Sequence, residues 1–155
     1  MKKLRVYLDT SVFGGCFDAE FAAASRKLFE EIRAGRYTVV LSEMTLIELQ
    51  RAPAEVRGLL ERMPTDLLEQ IALDDEVAAL RDAYLAAGVV GPASSGDAAH
   101  VASATVAGAE LIVSWNFRHI VNFDKIRAYN GVNLVRGYAA LEIRSPQEVV
   151  HEEEI

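Results

Sequence analysis

The sequence predicts a three-layer α/β/α domain with a central, mostly parallel sheet, and three observations predict it. Short apolar runs rich in β-branched residues alternate with longer amphipathic stretches, the pattern of strand–helix–strand units. One run, Leu111-Ile112-Val113, is apolar at consecutive positions, as expected of a strand covered on both faces. Finally, 155 residues that are 51% hydrophobic and 25% charged suffice for one domain with a substantial core and argue against disorder.

The elements follow in order. Leu4–Leu8 reads as a short strand that ends at Asp9. After a turn at Gly14-Gly15, residues 22–34 read as a helix, with Leu28, Phe29 and Ile32 at helical spacing and Gly35 as its stop. Tyr37–Leu41 is a second strand, and Ser42 is a good N-cap for a helix running to about Gln50. A helical piece from Ala54 to Met63 is bounded by Pro53 and Pro64. Ile71-Ala72-Leu73 suggests a short strand, and Asp74 or Asp75 caps a helix that Gly88 closes. Residues 91–96 form a loop, and Asp97 starts a helix of unusually small residues ending near Gly108. Leu111-Ile112-Val113 follows as a strand, and Val132-Asn133-Leu134-Val135 reads as the last one. Residues 1–150 thus form a single domain, and residues 151–155, with Glu152-Glu153-Glu154, an acidic tail.

Composition narrows the classes of function. No apolar run approaches the roughly 20 residues that span a bilayer, so no membrane partner is expected. The N-terminus begins like a signal peptide, yet Asp9 interrupts it before any long apolar core. A single cysteine, Cys16, cannot form an internal disulfide and agrees with a reducing, cytoplasmic setting. The net charge of −7 counts against nonspecific polyanion binding, which draws its affinity from basic side chains.

The chemistry rests on three carboxylates. Asp9, Glu48 and Asp97 are far apart in sequence, but each sits among apolar or small residues where a run gives way to a turn or a first helical turn. Each has a plain structural reading: Asp9 and Asp97 as N-caps, and Thr45-Leu46-Ile47-Glu48 as a capping box. Their joint placement points elsewhere. Burying several negative charges together is costly unless something neutralises them, and oxygen-only ligands suit Mg2+ or Mn2+. Metal-assisted phosphodiester hydrolysis is the chemistry such a set serves. His100 lies three residues beyond Asp97 on the same helical face, where a packed, hydrogen-bonded role competes with contact to substrate. No phosphate-loop, dinucleotide-binding or nucleophile-elbow signature competes. A covalent phosphohydrolase built on Asp9 would usually carry a second acid two residues later, and that position is Ser11.

These residues resemble the PIN domain family, and within it the toxin ribonucleases of VapC-type toxin–antitoxin pairs. Leu8-Asp9-Thr10-Ser11-Val12 resembles the opening motif, Ser42 through Glu48 the second acidic motif, and Asp97-Ala98-Ala99-His100-Val101-Ala102 the third. Residues 111–117 are similar to the strand and turn that carry a fourth site position, and Asn133, Gly137-Tyr138 and residues 145–149 to the tail of one subgroup. The resemblance covers about residues 4–150. It implies a Mg2+- or Mn2+-dependent endoribonuclease with Asp9, Glu48 and Asp97 as metal ligands, and Thr10, Ser11, His100 and Arg118 as candidates for contacting RNA. It also implies a cognate antitoxin protein and a homodimer. The fourth position is commonly aspartate in the family and is Asn116 here, whose amide brings no charge. That departure keeps a second reading open, a PIN-fold binding module for RNA or protein with little or no catalysis. Trp115 is expected to pack rather than to stack on bases.

Overall fold

The predicted alternation closes into one sheet in the computed structural model, which describes residues 2–151. Five strands, β1 (Leu4–Leu8), β2 (Tyr37–Ser42), β3 (Leu68–Ile71), β4 (Leu111–Val113) and β5 (Glu142–Arg144), pair in the order β3-β2-β1-β4-β5, and every pairing is parallel. Side chains alternate across it. Val6 and Leu8 enter one core with Val39, Leu41 and Val113, while Tyr7 enters the other with Val40, Ile112 and Ile143. Both faces are thus covered, which is why β4 is apolar without a break and why β1 and β2 carry consecutive apolar residues.

The first core is closed by helices α1 (Thr10–Gly15), α2 (Ala22–Arg33), α3 (Glu43–Gln50) and α4 (Ala54–Glu61), through Val12, Phe13, Leu28, Phe29, Leu49 and Val56. Helices α5 (Asp75–Ala86), α6 (Ser95–Val106) and α7 (Phe123–Val135) close the second. A short α8 (Pro146–Val149) ends the described fold and carries a capping box formed by Ser145 and Glu148. None of these helices is long and apolar enough to cross a membrane.

Several expectations need correction. Gly14-Gly15 is not a turn but the end of α1; a Cβ at Gly15 would stand 2.5 Å from Ser25 Oγ and 2.7 Å from Trp115 Nε1, so glycine there lets the helix lie against the indole. The third strand is Leu68–Ile71, three residues before the predicted position, because residues 68–71 pair with Val39–Ser42. The helix expected to reach Met63 ends at Glu61. Residues 132–135 are the last turn of α7, not a strand. Asn122 caps that helix by accepting from Lys125 N, and Tyr129 and Asn133, four apart, form its buried side. Asn133 ends in the core, where it accepts from the Tyr84 hydroxyl at 2.5 Å. The last strand is Glu142–Arg144. Glu152-Glu153-Glu154, read as a solvated tail, lies outside the described residues.

Candidate active site

In the strand order β3-β2-β1-β4-β5, chain connections run to one side of β1 through β2 and to the other through β4. The carboxyl ends of β1 and β4 therefore flank a switch point, the crevice where open parallel sheets build their sites. Asp9 follows β1 directly, and Ser114-Trp115-Asn116 follows β4. Asp97 and His100 arrive from α6, and Glu48 from α3, which starts where β2 ends.

Asp9 stands at the N-cap of α1, yet its carboxylate does not cap the helix. It is 5% exposed, and Oδ2 accepts from the hydroxyls of Ser114 at 2.6 Å and Ser11 at 2.8 Å. Those two serines tie the end of β4 to the start of α1. Ser11 Oγ also accepts from Trp115 N at 2.9 Å, and Ser114 Oγ from Asn116 N at 2.9 Å. The Thr10 hydroxyl beside them is buried without a partner.

His100 is 1% exposed and engaged at both ring nitrogens. Nε2 lies 2.5 Å from Glu48 Oε1 and 3.4 Å from Asp9 Oδ1, so it must carry a proton to donate, since both neighbours are carboxylate oxygens. Nδ1 lies 2.7 Å from the Tyr7 hydroxyl, which in turn meets Ser42 Oγ at 2.6 Å. Burial alone would push the imidazole down. The Tyr7 oxygen, the Glu48 hydrogen bond and the Asp9 and Glu48 charges outweigh it and hold His100 well above the usual histidine value. This is the packed, hydrogen-bonded histidine of the two alternatives, and it joins Glu48, on the rim, to the buried Asp9. Ser42 marks the start of α3 as expected, but its hydroxyl serves this relay and makes no cap bond.

Asp97 is the third residue of α6, within the first turn of the helix it was expected to start. Burial and the Asp9 carboxylate push its carboxyl up, against the lowering effect of His119, the Asn116 side chain and His100. Asp9 and Asp97 are thus near enough to repel. Asn116 Oδ1 accepts from His119 N at 2.9 Å, which fixes the amide near Asp97, whose carboxyl it helps to lower. The side chain at the fourth position is therefore a turn residue whose neutral amide adds no charge to the site. Arg118 is exposed. Trp115 is packed as expected: it stacks on Phe21 with ring centroids 4.3 Å apart and donates to Ser25 Oγ at 2.7 Å. An open cleft of about 510 Å3, lined by Ser11, Asp18, Phe21, Trp115 and Asn116, leads to the site from the α1 side.

The structure thus brings Asp9, Asp97, His100, Glu48, Ser11 and Asn116 together and leaves Arg118 on the surface. Among the described residues, however, no three His, Cys, Asp or Glu side chains are gathered closely enough to cage a metal ion. What fits a hard cation is the donor chemistry: two mutually repelling aspartates, all-oxygen, with a third acid held nearby on a histidine. Ser114, Tyr7 and Ser42 were missed in the sequence. A serine or tyrosine hydroxyl in an apolar strand carries no local signal until its partner, 105 residues away for Ser114 and Asp9, is in place.

Solved structures of similar fold include FitAB bound to an IR36 DNA fragment, with a TM-score of 0.61 and 14% identity over 96% of this chain and 98% of that one. FitAcB from Neisseria gonorrhoeae matches with a TM-score of 0.60 and 15% identity over 93% of this chain and 99% of that one. VapBC2 from Rickettsia felis bound to a DNA fragment from its promoter gives 0.53 and 13% over 92% and 98%. At such identities they show the fold alone. No curated protein matches the sequence. The model of the PIN domain matches residues 6–126, most of the chain, and the protein therefore belongs to the PIN domain family.

Proposed function

We propose that the protein is a Mg2+- or Mn2+-dependent endoribonuclease, the toxin of a toxin–antitoxin pair, working in the cytoplasm. The observation that carries this reading is the convergence of acids at the switch crevice: Asp9 at the end of β1, Asp97 in the first turn of α6, and Glu48, which His100 links to Asp9. Like charges held together by a rigid fold favour a cation between them. Asp9 and Asp97 would hold it, with Glu48 as the third acid. Bound there, a divalent cation supplies an acidified water and offsets negative charge at the phosphorus under attack.

The chain's own groups do the rest. Ser11 and Ser114 hold Asp9 in a single orientation by donating to one of its oxygens, leaving the other toward His100. His100 is a positioning residue: almost fully buried, it keeps Glu48 and Asp9 apart yet aligned, and contact with RNA falls to exposed groups such as Arg118. The reaction joins a water oxygen to phosphorus, breaks the bond to the leaving ribose oxygen, passes the water's proton to a site carboxylate or solvent, and returns a proton from solvent to the leaving oxygen. A cognate antitoxin and a second copy of the chain are the partners this reading entails, in keeping with structural neighbours that are FitAB and VapBC2 assemblies.

The test is cleavage of mixed structured and single-stranded RNAs with Mg2+, Mn2+ or EDTA, comparing the parent with Asp9→Asn and Asp97→Asn. Metal-dependent cutting lost in both variants is expected. A folded parent that neither cuts nor binds metal would favour the second reading, a binding module. That reading draws on Asn116, whose neutral amide brings no charge to hold a cation and whose oxygen already accepts from His119 N.

A further inference from the structure

Beside the acidic site, the chain exposes two aromatic rings. Asn116 opens a turn that runs through residue 122 into α7. Phe117 on that turn is 49% exposed, and Phe123, the first residue of α7, is 73% exposed. A single exposed apolar side chain needs no explanation. Here two lie on one short, rigid segment. Asn122 Nδ2 donates to the carbonyls of Phe117 at 2.8 Å and Arg118 at 3.0 Å, so the backbone of Phe117 is fastened to the residue preceding Phe123. Asn116 Oδ1 and Tyr129 Oη, bonded to the amide and the carbonyl of His119, fix the same turn from below. The segment is rooted in the site, because Asn116 N donates at 2.9 Å to the Ser114 hydroxyl that bonds Asp9.

Its charge runs against that of the molecule. Residues 116–127 carry Arg118, Lys125 and Arg127 against Asp124, three basic groups less one acid or +2 with His119 neutral, in a chain whose net charge is −7. Lys125 is turned to the Val89 carbonyl, which leaves the two arginines outermost. The Arg127 guanidinium lies 5.5 Å from the centre of the Phe123 ring, over its face. Aromatic rings with flanking guanidinium groups are what unpaired bases and their phosphates bind, since every base has a face to stack and RNA is read chiefly where it is single-stranded.

We propose that Phe117 and Phe123, with Arg118 and Arg127, form a stacking platform for unpaired nucleotides that flank the scissile bond. The platform selects single-stranded RNA and compensates for the acidic surface elsewhere. This deepens the ribonuclease reading, on which it rests for the identity of the substrate.

The experiment uses a short unstructured RNA containing one 2-aminopurine, and a hairpin of similar composition, with the full-length protein in EDTA. Quenching of the 2-aminopurine reports stacking whether or not the protein cuts. The parent is expected to quench the probe and to prefer the single strand. Phe117→Ala and Phe123→Ala are each expected to lower affinity by fivefold to a hundredfold, from about 1–3 kcal/mol per stacked base. Phe123→Trp should retain binding, and Phe123→Ala should leave the melting temperature unmoved, since that ring is 73% exposed; Phe117→Ala also gives up an edge contact with Trp115, ring centroids 6.0 Å apart, and should melt slightly lower. With Mn2+ present, the alanine variants should raise KM and leave kcat near the parent's. Parent affinity in the double alanine variant, or an unquenched probe, would overturn the platform. So would a double variant that binds RNA normally but loses self-association in light scattering, which would mark a protein interface. Quenching without any metal-dependent cutting removes the nuclease reading and leaves the platform, whereas cutting without quenching does the reverse.

Discussion

At Asn116 the chemistry of the site turns on one carboxamide. Its oxygen accepts from His119 N, and its neutral amide lies near Asp97 without adding negative charge. Asn116→Asp keeps the acceptor for the turn but brings a third negative charge near Asp97. Without metal this variant should be less stable by about 1 kcal/mol, the scale of a like charge about 4 Å away in water. With metal it should reach half-maximal cleavage at several-fold lower Mn2+. Titration of activity with Mn2+, beside melting in EDTA, checks both; an unchanged Mn2+ dependence would place position 116 outside the metal's reach. At this scale the sequence was legible where a residue type is costly in its context. Asp9, Glu48 and Asp97 stand out because carboxylates among apolar neighbours demand a reason. Ser114 does not, since a hydroxyl is cheap to bury and its role shows only when β4 lies beside β1.

Among the elements, α2 holds the C-terminal end of the described chain through Glu31, which is only 6% exposed. Its carboxylate accepts from the His151 ring at 2.5 Å and the His151 backbone at 3.2 Å, with the Tyr37 hydroxyl at 3.3 Å and the Arg36 guanidinium at 3.8 Å. Burial alone would push this carboxyl up; the hydrogen bonds from His151 and the charges of His151 and Arg36 outweigh it and hold it below the ordinary value. A depressed folded pKa stabilises fully above the unfolded value, about 4.3 for glutamate, and that contribution disappears as pH falls through the lower folded value. The parent's melting temperature should therefore drop below about pH 4.3, and Glu31→Gln should flatten that part of the profile. At pH 7 the same variant should cost about 1.5–3 kcal/mol, the scale of hydrogen bonds to a charged group. A parallel acid slope in the variant would show that other carboxylates govern it. Elements were legible where periodicity was strong, as in β1, β2, α2 and α5. Residues 132–135 misled because Val-Asn-Leu-Val satisfies a strand's composition. Only the Asn122 cap, ten residues earlier, and the burial of Tyr129 and Asn133 on one side decide for a helix.

For the molecule as a whole, the layering was legible because both faces of the sheet need apolar cover, but the strand order was not, since it depends on which crossovers pack. That order makes the acidic crevice, and the crevice imposes a cost: Asp9 and Asp97 repel in a rigid site at the centre of the sheet. A cation bound there adds its binding free energy to folding, about 2.7 kcal/mol at a hundredfold excess over Kd. For a chain of this size the melting temperature should rise by about 5–10 °C, taking 2–4 °C per kcal/mol. Asp97→Asn separates the two effects. It removes the repulsion, so in EDTA it should melt at or above the parent, yet it should lose most of the rise on adding Mg2+ or Mn2+. Asp9→Asn should differ, because its Oδ2 accepts two buried hydroxyl bonds from Ser11 and Ser114 and the substitution weakens the tie between β4 and α1 even without metal. Melting curves for the parent and both variants, with EDTA and with each ion, are decisive. If Asp97→Asn retained the parent's full response to metal, the cation would be binding elsewhere, and the paired aspartates would be a structural feature rather than a metal site.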